Sequence, residues 1–399
     1  MIFQLPEEAD VAVCGAGPAG LLAARHLAQA GLSVILLDRR DPWSEPVSCA
    51  EAVHAQGLLK WAGEIDPEWV RGPVDGVIFV SPDGTRVAYE QPKSGLILDR
   101  AKLHKSLAQK AVDQGAKIHF RANVTSLEPT GNKWHVHGLT EGRTPFVISV
   151  RAVVDASGAG GKLTNGLPGF ESIEDGAHDL ETGVFAILEG VEHSQNLIEL
   201  DFGSKYFPGG YGWVFPRDGH SANVGIVIGR DYASKMPVRK LLQQWVAYRW
   251  PTVQIENVYG GAIACGQSRK ALALNGIFKA GDSASQVNPI SRSGIVEGMK
   301  GGVLVARALI KWLDATEIGE KKAIEDNLLV DWFREQGSIH ERLFRAKNAF
   351  ASIPDKVFNK AAHRIVTIPL AKRSLPRIFF STLIGSPTLL WRMRSLMGL

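Results

Sequence analysis

The sequence predicts an α/β fold with α+β elements: a doubly wound nucleotide-binding domain, an antiparallel-sheet domain and a C-terminal helical region. Three observations carry this expectation. The apolar run Ala9–Cys14 is followed by a glycine-rich turn, an Ala/Leu-rich helix closed by Gly31, and the run Ser33–Leu37 ending at Asp38. Together these make a βαβ unit about 30 residues long. Residues 180–230 alternate strand-like pieces with Gly-rich turns. From Glu317 on the pattern is helical, with breaks at Pro354, Pro369, Pro376 and Pro387.

The elements between follow from local signals. Pro82-Asp83-Gly84 separates Val74–Val80 from Arg86–Glu90 and reads as a hairpin turn. Asp99 caps a helix over Arg100–Asp113. Lys117–Phe120, Asn123–Glu128, Lys133–Val136, Arg151–Asp155 and Gly276–Lys279 read as strands; Pro237–Arg249 and Gly294–Trp312 read as helices. The expected division is 1–73, 96–165 and 260–313 for the nucleotide-binding domain, 74–95 and 166–259 for the antiparallel sheet, and 314–399 for the helical region.

Composition excludes several classes. Of 399 residues 45% are hydrophobic and 22% charged, an ordinary globular balance. Cys14, Cys49 and Cys265 stand far apart without a CxxC pair, against a zinc site, a cysteine-bound iron–sulfur cluster or a disulfide framework; no metal is expected. Met1–Asp10 lacks a basic-then-apolar order, and no run approaches ~20 apolar residues, so a cytoplasmic location is the default expectation. The net charge of +4 hides an asymmetry. Residues 340–399 carry 11 Lys/Arg against Glu341 and Asp355, a local +9, whereas the first 339 hold 34 basic and 39 acidic residues, a net of −5.

The glycine turn has a dinucleotide-binding rationale. Gly15 permits the tight turn after the strand, Gly17 lets backbone approach a pyrophosphate, and Gly20 lets helix and strand pack closely. The helix N-terminus offers free N–H groups to phosphates. Asp38, 18 residues beyond Gly20, is placed to accept ribose hydroxyls. Two later features favour a flavin dinucleotide over a nicotinamide one: Arg100 opening its helix, and Ala280-Gly281-Asp282-Ser283-Ala284, where Asp282 is placed to hold a ribityl chain. The helix after Asn288-Pro289 and Ser293-Gly294-Ile295 would turn its N-terminal amides to the pyrimidine ring.

These residues, with Val153-Val154-Asp155-Ala156-Ser157-Gly158, resemble flavoproteins of the p-hydroxybenzoate hydroxylase fold. Pro208-Gly209-Gly210-Tyr211-Gly212-Trp213-Val214-Phe215-Pro216 is similar to the PxxYxWxFP pattern of the geranylgeranyl reductase family, with support from Ser48-Cys49-Ala50-Glu51. The resemblance spans roughly residues 9–312. It implies a Rossmann-type FAD-binding domain, FAD as cofactor and saturation of isoprenoid double bonds. FAD contacts are implied at Gly15, Gly17, Ala19, Gly20, Asp38, Arg39, Cys49, Ala50, Ala52, Arg100, Val124, Asp282, Gly294 and Ile295. Tyr211 and Trp213 would line the prenyl channel, unless they are simply core aromatics of the sheet.

The chain departs from the family pattern at Ser291-Arg292-Ser293, where glycines are usual, and at Cys49-Ala50, where Cys-Gly is frequent. Arg292 has three readings: raising the flavin's potential, binding an anionic head group, or facing solvent. Cys49 reads as the proton donor to a prenyl carbon or as a small packing residue. The basic tail interleaves Arg342, Arg345, Lys347, Lys356, Lys360, Arg364, Lys372, Arg373, Arg377, Arg392 and Arg394 with Phe344, Phe350, Phe358, Phe379, Phe380 and Trp391. That mixture suits an anionic membrane surface, and equally a solvated helical face. No recognition motif points to nucleic acid.

The expected function is FAD-dependent reduction of a prenyl chain on a lipid or quinone-type isoprenoid, with an external reductant such as NAD(P)H or a small electron carrier. A flavin monooxygenase or halogenase of the same fold, and a flavin-holding lipid-binding protein without turnover, are the alternatives.

Overall fold

The computed structural model describes residues 5–41, 47–161, 163–170 and 180–378. Two sheets organise them. The first has the order Ala273–Leu274, Ile277–Lys279, Pro145–Asp155, Glu8–Cys14, Val34–Asp38, Lys117–Phe120. From Ile277–Lys279 to Lys117–Phe120 every pairing is parallel. The hairpin Ala122–Thr130 and Lys133–Thr140 extends Pro145–Asp155 on its other edge. Val11, Val13, Val34, Leu36, Ala152 and Val154 are fully or almost fully buried under the helices Pro18–Gln29 and Ile295–Asp314. Such two-faced burial is what continuous apolar runs give in a parallel sheet.

The second sheet runs Tyr259–Ala264, Leu180–Leu188, Ala222–Ile228, Tyr211–Pro216, Ile198–Asp201, Val70–Val80, Arg86–Leu98, Ala52–His54. Its pairings are antiparallel except Ile198–Asp201 with Val70–Val80, which is parallel. Strand alternation sorts its side chains. Val184, Ala186, Val214, Val224 and Ile226 pack under the helix Val238–Arg249. Tyr211, Trp213, Phe215, Phe185 and Val227 lie on the opposite face with Ala50 and Ala52.

The expected fold class is the observed one. Several boundaries moved. Ala52–His54 and Tyr259–Ala264, expected with the nucleotide-binding part, pair in the second sheet, and Val70–Val80 runs across the expected 73/74 division. Arg86–Leu98 is much longer than read, because bulges at Val70/Gly72 and Val74/Gly76 let the pairing pass Pro73 and Gly76. The C-terminal part forms helices Ile318–Trp332, Ser338–Ala351 and Asp355–Val366. Phe379, Phe380, Trp391, Arg392 and Arg394 lie outside the described residues. Among the described residues no helix is long and apolar enough to cross a membrane.

Candidate active site

The site begins where the strands of the first sheet end. Gly15 leaves its strand at φ 115°, and its N–H donates to Leu37 O at 2.8 Å. A Cβ here would lie 2.1 Å from Ala156 O, so the Cys14–Gly15 turn and the Asp155–Ser157 turn interlock only with glycine. Gly17 differs: a Cβ there meets nothing within 4 Å. Packing does not demand this glycine, so the open space above it is room for a ligand. Gly17 also N-caps Pro18–Gln29 without a side-chain cap, which leaves that helix's first amides available. Asp38 closes the turn from below, its Oδ2 accepting from Ala16 N at 2.6 Å and its Oδ1 from Arg40 N at 2.8 Å.

Helix Ile295–Asp314 crosses the fingerprint helix at close range. A Cβ on Gly302 would stand 2.1 Å from Ala19 O, and Gly281 brings its backbone against Ala19. Asp282 therefore sits beside the phosphate-binding turn, next to Gly294. Burial pushes its carboxyl up to about 6, against Arg100, whose charge lowers it, and together with Glu297, whose charge raises it further. Gly294 caps the second helix, again without a side-chain cap, and Ile295 begins it.

Arg100 opens the helix Arg100–Val112, with Asp99 Oδ1 accepting from Lys102 N at 3.0 Å as the expected cap. The guanidinium is buried. Nη1 donates to Cys49 Sγ at 2.9 Å and Nη2 to His104 Nε2 at 2.9 Å. Since arginine only donates, His104 accepts on Nε2 and carries its proton on Nδ1. Burial, then the Arg100 charge, holds His104 well below its ordinary value, so it is neutral. Among the described residues Arg100 Nε and His104 Nδ1 are buried without a hydrogen-bond partner.

Cys49 joins the two sheets. Its backbone O accepts from Asn223 Nδ2 at 2.9 Å, and Asn223 Oδ1 accepts from Trp213 Nε1 at 2.9 Å. Glu51 N donates to Cys49 Sγ at 3.2 Å. Glu51 itself is buried at φ 75° beside Arg217 at 3.1 Å, and burial raises its carboxyl despite Arg217, Arg71 and Arg100. Tyr211 is half-buried and donates its OH to Ser291 O at 2.6 Å.

Arg292 does not face solvent. It is buried at φ 59°, with Nε 2.7 Å from Glu181 Oε2, Nη1 on Ile290 O at 2.6 Å and Nη2 on Gly209 O at 3.2 Å. Its guanidinium lies 5.0 Å from the Tyr211 ring centroid. Glu181 Oε1 also pairs with Lys347 Nζ at 3.0 Å. Lys347, read in the sequence as part of a basic surface, is buried; Phe350 and Phe358 are half-buried against Phe202.

Successive contacts thus connect Gly15, Ala19, Gly20, Asp282, Gly294, Arg100 and Cys49, with Gly17 and Asp38 in the first turn and Ile295 after Gly294, while Ala50 and Ala52 pack with Tyr211 and Trp213 on the second sheet's face. Arg39 and Val124 are placed differently. Arg39 is exposed beyond Asp38, beside Arg121 and Asn123. Val124 spends its side chain on the core formed with Leu127, Val136 and Ile148, which leaves only its backbone edge for a ligand. Sequence reading missed Asn223, His104 and Glu181, and gave Lys347 to a basic surface.

Open space over Gly17, two uncapped helix N-termini and an orphaned Arg100 Nε all fit a long, phosphate-bearing cofactor. Residues 8–195 match an FAD binding domain, and the fold and site define an FAD-dependent oxidoreductase. Residues 179–263 match the geranylgeranyl reductase catalytic domain. The digeranylgeranylglycerophospholipid reductase of Methanosarcina mazei is 30% identical, over 98% of this chain and 97% of that one. That of Methanocella arvoryzae is 28% identical, over 99% and 100%. The chain belongs to the geranylgeranyl reductase family. In fold it is similar to a geranylgeranyl bacteriochlorophyll reductase-like protein of Thermoplasma acidophilum, with a TM-score of 0.87, 21% identity and coverage of 98% and 99%. A flavin-dependent brominase shares the fold at a TM-score of 0.70 and 18% identity.

Proposed function

We propose that this protein saturates double bonds in the prenyl chains of an isoprenoid lipid of the digeranylgeranylglycerophospholipid class. The reading rests on one observation above all. The PxxYxWxFP strand puts Tyr211 and Trp213 on an apolar wall, and the Trp213–Asn223–Cys49 hydrogen bonds tie that wall to the flavin side.

Bound FAD supplies the hydride. The chain's residues do the rest. Gly15, Gly17, Ala19 and Gly20 would hold its pyrophosphate, Asp38 and Arg39 the adenosine end with the Val124 backbone, and Asp282 and Arg100 the ribityl region. The amides of Gly294 and Ile295, with Cys49, Ala50 and Ala52, would receive its ring. Tyr211, Trp213, Ile198 and Leu200 exclude water and orient the prenyl chain by apolar contact. Hydride addition to an isolated alkene leaves a carbon that needs a proton. Cys49 Sγ donates it, and the Arg100 guanidinium 2.9 Å away stabilises the negative sulfur left behind. A proton from water restores the thiol.

With FAD bound, turnover would need an external donor such as NAD(P)H or a small electron carrier. Contact with an anionic membrane brings the lipid. Val366, Leu370 and Leu375 are exposed apolar residues among exposed Lys360 and Arg364 and the nearby Lys372, the mixture an interfacial surface needs. The test is anaerobic incubation of dithionite-reduced protein with geranylgeranyl lipids. Products heavier by two mass units per double bond support the proposal; unchanged mass for every polyprenyl compound overturns it.

A further inference from the structure

We propose that Glu128, His135 and His137 form a binding site for one zinc ion on the hairpin of Ala122–Thr130 and Lys133–Thr140. The inference does not depend on the prenyl chemistry proposed above.

The strand pairing makes the cluster. His135 and His137 stand two apart in one strand, so both side chains leave the same face. The antiparallel register sets Glu128 directly opposite His135, and Ser126 opposite His137. Glu128 is thus the cross-strand neighbour of one histidine and the diagonal neighbour of the other. The alternate residues Leu127 and Val136 turn to the opposite face, where they are buried in one core with Ile148 and Val150. On the face away from that core both histidines are half-buried and Glu128 is exposed. The expectation of no metal rested on the cysteines. These ligands are nitrogen and oxygen, and only the hairpin brings Glu128 to the histidines.

The distances suit a metal. Each residue offers one ligand atom, and the three atoms lie within 4.8 Å of one another. Glu128 Oε2 and His137 Nε2 are 3.0 Å apart. Ligand atoms bound tetrahedrally at zinc distances stand about 3.3 Å from each other. The Glu128–His137 pair is close to that separation, and a small rotation of the half-buried His135 ring completes the set. The two imidazoles meet edge to face, with centroids 6.2 Å apart and planes at 74°, so they are not stacked flat and can turn nitrogens to a shared point. Thr130 Oγ1 lies 3.3 Å from His135 Nδ1. Metal-bound histidines ordinarily engage their other ring nitrogen in this way, which fixes the ring. Two imidazoles and a carboxylate suit zinc better than magnesium or calcium, which prefer oxygen alone. Three protein ligands leave a fourth position for water. The bound ion would clip the two strands of the hairpin together beside their backbone pairing.

The test uses the flavin-loaded full chain, without a histidine tag and stripped with EDTA, titrated with zinc against a chromophoric chelator. One equivalent is expected to bind with a dissociation constant below about 10 µM. His135→Ala and His137→Ala should each weaken it by about 100-fold or more, and Thr130→Val by about tenfold. His119→Ala, on the separate strand Lys117–Phe120, should leave it unchanged. Zinc at about 100 times its dissociation constant should raise the melting temperature of the unaltered protein but not that of His135→Ala or His137→Ala. Flavin content and metal-free melting show that each variant is folded, as expected for side chains on the face away from the core. Zinc bound with unchanged affinity by both histidine variants would place the ion elsewhere and overturn the inference. So would failure of the unaltered protein to bind an equivalent at about 100 µM zinc.

Discussion

The proposed cofactor side of the molecule is built of backbone; the proposed substrate side is built of side chains. Around Gly15–Gly20, Gly281 and Gly294 the working groups are amides, missing Cβ atoms and uncapped helix ends. Around Tyr211, Trp213 and Phe202 they are rings, with the buried Arg292–Glu181–Lys347 triad beside Tyr211 and Asn223 holding Trp213. The difference suits the chemistry proposed for each side. A dinucleotide offers phosphates and hydroxyls that amides recognise at close range. A prenyl chain offers only apolar area, so its wall must be shaped by large side chains whose supports carry the polarity.

Four experiments separate the two halves, from the largest expected effect to the smallest. Glu181→Gln leaves Arg292 and Lys347 buried without their counter-charge, and should cost about 3–5 kcal/mol by chemical denaturation; a loss below about 1 kcal/mol would show that the triad does not hold the second sheet to the C-terminal helices. Cys49→Ala should keep FAD yet lower prenyl reduction by about 10²-fold or more if Sγ is the proton donor. Full activity in the flavin-loaded variant would return Cys49 to a packing role.

A glycine pair sharpens the backbone side. A Cβ on Gly20 would stand 1.9 Å from Gly15 O, so Gly20→Ala should cost about 1–3 kcal/mol of stability even without flavin. Gly17→Ala has open space, and should leave the flavin-free protein's melting unchanged while weakening FAD about tenfold. Equal effects on melting would deny the distinction.

The smallest effect concerns Asp282. Burial raises its carboxyl from 3.8 to about 6, so between those values the folded form holds more protons than the unfolded one. Stability of the flavin-free protein must then fall as pH rises through that window and level off above it. Asp282→Asn should remove that part of the slope, read as the difference between the two melting-temperature profiles.

The backbone side was also the legible side. The Gly15–Gly20 spacing and the Asp99 cap are set by residues a few positions apart, and Asp38 closes the same short βαβ unit. The second sheet's partnerships are not. Arg292 pairs with Glu181 across 111 positions, and Asn223 is one polar residue in an apolar strand whose partners, Trp213 and Cys49, come from other elements. Tyr211-Gly212-Trp213 was visible as a motif, whereas the Phe202 cluster needed the C-terminal helices in place. Ala52–His54 escaped because three residues give no periodicity to read. One missed residue had a signal: His104 stands four positions after Arg100, one helical turn on the same face.

The central claim is that electrons pass from flavin on the first sheet's side to an alkene on the second sheet's wall. A single turnover tests it most directly: anaerobically reduced, flavin-loaded protein mixed with geranylgeranyl glyceryl ether, followed by flavin absorbance and product mass together. The account predicts that the oxidised-flavin spectrum returns in step with a product two mass units heavier. A flavin that stays reduced until air is admitted, beside lipid of unchanged mass, would contradict it.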